Sequence, residues 1–163
     1  MNKAIAFILM GSALSLSAQT VRFGVQAAVS LPGNDLSNNA TLGLQLGGHA
    51  KADLGEGHGI MARADLAFYS QNNGYNVNNV ALAADYTYHF NGHQLGPYAL
   101  AGISQQNYHT SLHGLDSNNS GLGIDLGLGY DVDRNVGMQV RYTNNAFNSL
   151  NYSALNLGVT YTF

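Results

Sequence analysis

Six histidines and a sparse set of carboxylates are the residues of this 163-residue chain that could carry chemistry. His109 and His113, with Ser111 and Asp116 nearby, have the types that a general base or a metal pair would need. They share one stretch rich in Asn and Ser, however, and nothing in it fixes their spacing, so the ordinary reading is a solvated polar loop. His58 and His93 fall in short Gly-containing turns, while His49 and His89 are in phase with aspartates on alternating segments. Cysteine is absent, which removes a disulfide framework and any zinc-thiolate site. GLGIDLG at 121–127 lacks the spacing of a dinucleotide-binding loop. DVDRNVG at 131–137 puts Val136 where a calcium loop needs Gly and Tyr142 where it needs Glu. The sequons at Asn39 and Asn151 are expected by chance in an Asn-rich chain. No catalytic residue, cofactor or metal site is expected, and hence no enzyme.

The remaining charges pose a different question. Only 9% of residues are Asp, Glu, Lys or Arg, against roughly a quarter in ordinary soluble proteins. Glu56 is the one glutamate, and Lys3 and Lys51 are the two lysines. Something other than charge must cover this molecule. The formal net charge of −3 is too small and too evenly mixed to favour nucleic acid. No apolar run beyond the first twenty residues reaches the roughly 18 needed by a membrane-spanning helix.

The elements that would position these charges have period two. Residues 1–18 read as a secretory signal, with Lys3 as the positive start, Ala4 to Met10 as the apolar stretch and Ser15 to Ala18 as the small residues before a cut. From 19 to 163 the chain resolves into eight alternating runs. The first sets Val21, Phe23, Val25, Ala27, Val29 and Leu31 against Arg22, Gly24, Gln26, Ala28 and Ser30. The last, LNLGVTYTF, sets Leu155, Leu157, Val159, Tyr161 and Phe163 against Asn156, Gly158, Thr160 and Thr162. In the fifth run, from Pro97 to Ser104, both faces are apolar, and Tyr98 and Leu100 are grouped with the apolar face by size. Connections after runs two, four and six are short, whereas those after one, three, five and seven are longer and rich in Asn, Ser and Gly. An all-β, antiparallel up-and-down barrel with short turns at one end and long loops at the other follows, the asymmetry typical of transmembrane β-barrels.

Alternation alone does not say which face meets water, because a lipocalin-like soluble barrel shows the same pattern. Two features favour an apolar exterior in lipid. The polar face is crowded with glycine and has few lysines, which suits a narrow interior better than a solvent surface. On the apolar face Phe23, Tyr88, Phe90, Tyr98, Tyr130, Tyr161 and Phe163 gather at the short-turn end, with Phe68 and Tyr142 nearer the other, as in an aromatic girdle.

With its signal, eight runs and aromatic-terminated last strand, the chain resembles small outer-membrane barrels of the OmpX, OmpA transmembrane-domain and opacity-protein type. The resemblance implies residence in the bacterial outer membrane as a monomer, with both termini in the periplasm, among outer-membrane lipid and lipopolysaccharide. It also implies that Leu155, Leu157, Val159, Tyr161 and Phe163 form the signal read by the barrel-assembly machinery. Relatives that act on lipid A use an amphipathic helix before the first strand, or a His and Ser near the chain end; neither is found here.

Sorting the inward residues by height predicts a polar network. Arg22, Lys51, Asp53, Arg63, Asp65, His89 and Asp131 fall low in the barrel, and Asp85, Asp125 and Arg141 nearer its middle. Paired charges persist away from water, and an eight-stranded interior is about wide enough for side chains to fill, so a plug is expected, with a continuous ion channel as the other reading. Above the plug, small residues such as Gly24, Ala28, Gly43, Gly123 and Ala154 predict a hydrated vestibule. Two functions survive: a structural or surface-interaction barrel whose loops contact lipopolysaccharide or host surfaces, and a narrow pore or ligand-transport barrel.

Overall fold

Period-two sequences pair because alternate side chains share a face, and in the computed structural model all eight runs do so. The structure describes residues 20–72, 74–112, 115–147 and 150–163; the signal at 1–18 and His113 lie outside these. The strands are β1 (Thr20–Asn34), β2 (Ala40–Gly55), β3 (His58–Asn72), β4 (Tyr75–His89), β5 (Gly96–Leu112), β6 (Leu115–Asp131), β7 (Val136–Phe147) and β8 (Leu150–Thr162), with one 3-10 turn at Asp35–Asn38. Each pairs antiparallel with its neighbours in sequence, and β1 pairs with β8, closing an eight-stranded barrel.

The register fixes the barrel's dimensions. From Ser30 the ladder runs one way through Gly43, Tyr69, Val77 and Thr110 to Ser117. The other way it runs through Asn156 and Arg141 to Gly127, an offset of ten residues on β6. Eight strands with that stagger tilt by about 40° and enclose a backbone cylinder of about 8 Å radius. Side chains from opposite walls therefore meet at the axis.

Two expectations need correction. The Asn- and Ser-rich segments are not long loops: β3 and β4 run to Asn72 and from Tyr75, and β5 and β6 to Leu112 and from Leu115. Asn and Ser signal turns when read singly, but here their backbones are held in ladders that extend the hairpins. The second correction concerns β5. Tyr98 and Leu100 point inward, 1% and 3% exposed, whereas Ile103 faces out. Tyr98 is therefore no part of an aromatic girdle. Size was a poor guide there, because the ring enters a space left open by Gly129 on the neighbouring strand, where an added Cβ would collide with it.

Short-turn hairpins have explicit devices. Gly55, Glu56 and Gly57 of the β2–β3 turn all have positive φ (88°, 53° and 81°), a conformation glycine adopts without strain. In the β6–β7 turn, Asp133 accepts hydrogen bonds from the backbone N–H groups of Asn135 and Val136, both at 2.7 Å. These anion-stabilising bonds hold its carboxyl below the usual carboxylate range.

Candidate functional site

The interior is built in three layers. The middle layer centres on Arg63 of β3, whose guanidinium donates to Asp65 (2.5 Å), Asp85 of β4 (2.5 Å) and Asp125 of β6 (2.8 Å). All four side chains are almost wholly buried. Arg141 of β7 reaches Asp65 at 3.4 Å and Gln45 at 3.2 Å. Thr143 donates to Asp125 at 2.6 Å, and the Gln26 amide donates to Asp65. A carboxylate away from water needs such bonds to stay ionised; Asp65 and Asp125 each have at least two partners, and Asp85 takes two N–H groups from Arg63 alone.

Below it, Asp131 of β6 joins Lys51 (3.3 Å) and His89 (3.0 Å). Tyr98 covers this pair, its ring 4.8 Å from the His89 ring and 5.6 Å from the Lys51 ammonium, close enough for a cation–π contribution. Gln139 accepts from the Tyr98 hydroxyl at 3.5 Å and donates to Gln26 at 3.3 Å, linking lower and middle layers. Met61 and Leu100 fill the remaining space beside Tyr98.

The upper layer replaces the expected vestibule. Tyr69, Tyr108 and Tyr152 converge with Leu36, Ala40, Ala67 and Val77 in one buried cluster. Tyr108 and Tyr152 meet edge to face, with centroids 5.1 Å apart, and the Tyr69 hydroxyl lies 3.0 Å from Ser30 Oγ. Between this cluster and the charged layer lies a cavity of about 10 Å³, room for about one water. The small residues that promised open space make way for rings: a Cβ on Gly43 would stand 2.6 Å from Tyr69.

Of the residues singled out from sequence, Lys51, Arg63, Asp65, Asp85, His89, Asp125, Asp131 and Arg141 fall into two networks. Arg63 and Asp65 belong to the middle layer and not, as height sorting had them, to the lower. Arg22 and Asp53 stay apart at the short-turn mouth, where Arg22 donates to the Arg134 carbonyl at 2.8 Å and Asp53 accepts from the backbone of Gly55 at 2.8 Å. Sequence reading missed Tyr108 and Tyr152 as interior groups. The signal was present in Ser104, Gln106, Tyr108 and Thr110, which keep the inward phase of β5 through a stretch that looks like loop. His109 is exposed at the rim, 2.8 Å from Asn118 and 3.8 Å from Asp116, and among the described residues no three ligating side chains converge on a metal site.

The outer surface is the reverse of a soluble protein's. Val25, Leu44, Leu66, Leu82, Ile103, Leu126, Val140 and Leu157 are exposed around the barrel, as are Phe23, Phe68, Tyr88, Phe90, Tyr130, Tyr142, Tyr161 and Phe163. So continuous an apolar surface is stable against lipid and not against water. Polar residues and charges occupy the core instead, which rules out a lipocalin-like barrel.

Known proteins agree with this geometry. No curated protein sequence matches the chain. Among solved structures, the attachment invasion locus protein Ail of Yersinia pestis aligns with TM-score 0.60 and 13% identity, over 88% of this chain and 97% of that one. Neisserial surface protein A aligns with TM-score 0.56 and 22% identity over 88% and 97%. The N-terminal barrel of Pseudomonas aeruginosa OprF gives 0.55 and 18% over 88% and 100%. These likenesses concern the fold. Residues 4–163 also match the outer membrane protein beta-barrel domain family. The eight-stranded barrel with its apolar exterior is consistent with that match, and the chain belongs to this family of the bacterial outer membrane.

Proposed function

We propose that this protein works by contact at the rim opposite its short turns, where the paired hairpins end, and conducts nothing through its interior. The observation that carries this reading is the three-layered core, in which the cavity between the charged and tyrosine layers is about 10 Å³. A transport path would need a hydrated column through the same cross-section.

The rim has the means for contact. From Leu115 to Leu122, β6 is paired with β5, but its ladder with β7 begins only at Gly123. Among the described residues this segment offers an open edge of backbone donors and acceptors, a template for an extended partner. The rim also lacks cations: no Lys or Arg occurs between Arg22 and Lys51, between Arg63 and Arg134, or after Arg141. One structure of Ail is a complex with the heparin analogue sucrose octasulfate. With Asp35 and Asp116 as its fixed charges, the rim of this chain favours neutral or basic surfaces and repels such polyanions. Lipopolysaccharide is met through sugar hydroxyls, and outer-membrane lipid through the aromatic exterior.

In this reading residues 1–18 are removed on export, both termini lie in the periplasm, and the barrel-assembly machinery reads Leu155 to Phe163. Phe23, Tyr88, Phe90, Tyr130 and Tyr161 mark one bilayer interface and Phe68 and Tyr142 the other. The protein is a monomer without a catalytic step. Replacing residues 111–116 by Asn-Gly joins Thr110 to Ser117 through a two-residue turn and keeps the hairpin register. This variant should lose cell-surface adhesion while keeping heat-modifiable gel migration, and Asn79→Ala in the lumen should leave adhesion intact. Full adhesion by the trimmed variant, or solute uptake into liposomes that depends on Asn79, would refute the proposal.

A further inference from the structure

Three of the cations in the described residues, Lys51, Arg63 and Arg141, have an aspartate within 3.4 Å. The other two, Arg22 and Arg134, have no carboxylate partner among the described residues, and both line one cavity of about 420 Å³ at the short-turn mouth. Asp53 of β2 and His93, Gln94 and Leu95 of the β4–β5 turn complete its wall.

The nearby acids are already committed. Asp53 accepts from the Gly55 backbone at 2.8 Å and from the Gln94 amide at 3.4 Å. Asp133 is turned onto the N–H groups of its own turn at 2.7 Å. Arg22 spends one N–H on the Arg134 carbonyl, at 2.8 Å, which ties β1 to the β6–β7 turn and aims the guanidinium across the mouth. Beyond that bond, the Arg22 and Arg134 guanidinium groups have no hydrogen-bond acceptor among the described residues.

We propose that this cavity binds an oxyanion, carboxylate or phosphate, gripped between the guanidinium groups of Arg22 and Arg134. Planar guanidinium forks match the paired oxygens of such groups. Two sources share this chemistry. Phe23, next to Arg22, is 65% exposed on the apolar exterior, so the site lies beside the bilayer boundary and within reach of a lipid headgroup phosphate. A free oxyanion could reach it equally from the aqueous side. The site is at the opposite end from the rim and does not depend on the adhesion reading.

The test uses refolded protein in phosphatidylcholine discs, with the arginine Nε resonances followed while inorganic phosphate is titrated at constant ionic strength. A saturable shift at Arg22 and Arg134, absent at Arg63 and Arg141, is expected, with apparent affinity at least tenfold weaker in Arg22→Gln and in Arg134→Gln. The Arg134 side chain makes no hydrogen bond among the described residues, so Arg134→Gln tests binding without touching the fold. In discs containing phosphatidylglycerol, resonances already shifted before phosphate is added identify the lipid headgroup as source; unshifted resonances identify the free anion. No saturable response in either disc, or an affinity read at Arg134 that is unchanged by Arg22→Gln and one read at Arg22 that is unchanged by Arg134→Gln, overturns the proposal.

Discussion

Arg63→Gln is the substitution that weighs the interior most directly. The native guanidinium serves Asp65, Asp85 and Asp125 at 2.5–2.8 Å, all in a site almost without solvent. Its removal leaves three carboxylates facing one cation, Arg141, which is 3.4 Å from Asp65. Stranding buried charge in this way costs about 3–5 kcal/mol. In a water-filled channel the same carboxylates would simply rehydrate, at a cost of about 0–1 kcal/mol, as at a surface pair. The two architectures therefore differ by a factor of roughly thirty or more in the folding equilibrium, since about 1.4 kcal/mol is tenfold. Reversible urea unfolding in phospholipid vesicles, followed by tyrosine fluorescence, measures it. Asp85→Asn closes a thermodynamic cycle: the double variant should recover part of the loss, with a coupling of about 1–3 kcal/mol. A loss below about 1 kcal/mol, or strict additivity, refutes the reasoning.

Further outcomes are expected from the same geometry. The chain has no tryptophan, so Ile103→Trp should be quenched by brominated lipid chains and Tyr98→Trp should not; the reverse result would restore the outward placement of Tyr98. Gly129→Ala should cost about 1–3 kcal/mol by overpacking against Tyr98. Gly48→Ala, whose Cβ comes no nearer than 3.7 Å to Gly24 O, should change urea stability by less than about 0.5 kcal/mol; equal effects would count against the packed core. Phe163→Ser should slow membrane assembly more than it weakens the finished barrel, since Phe163 is 70% exposed and its backbone N–H still reaches the Phe23 carbonyl. Equal assembly rates, followed by the gel shift over time, would remove its role as a signal.

Strand number, closure and the apolar exterior were legible because seven runs set apolar against polar residues at every second position. The fifth could not be read this way: Pro97, Tyr98, Ala99, Leu100 and Ala101 are apolar throughout, and what turns Tyr98 inward is Gly129, distant in sequence. The charged network was legible in membership but not in pairing, because Arg63 and Asp125 meet across the barrel axis. The upper layer failed for a related reason. Gly43 was read as space, yet a small residue on one strand makes room for a ring such as Tyr69 from its neighbour. Tyr108 and Tyr152 escaped notice because local Asn and Ser content described a loop where long-range pairing makes a strand.

Single-barrel recording in a planar bilayer tests the filled interior most directly. The refolded protein should show no steady conductance, because Arg63, its three aspartates and the tyrosine layer above them close the lumen. A stable, size-selective conductance from one barrel would contradict the account.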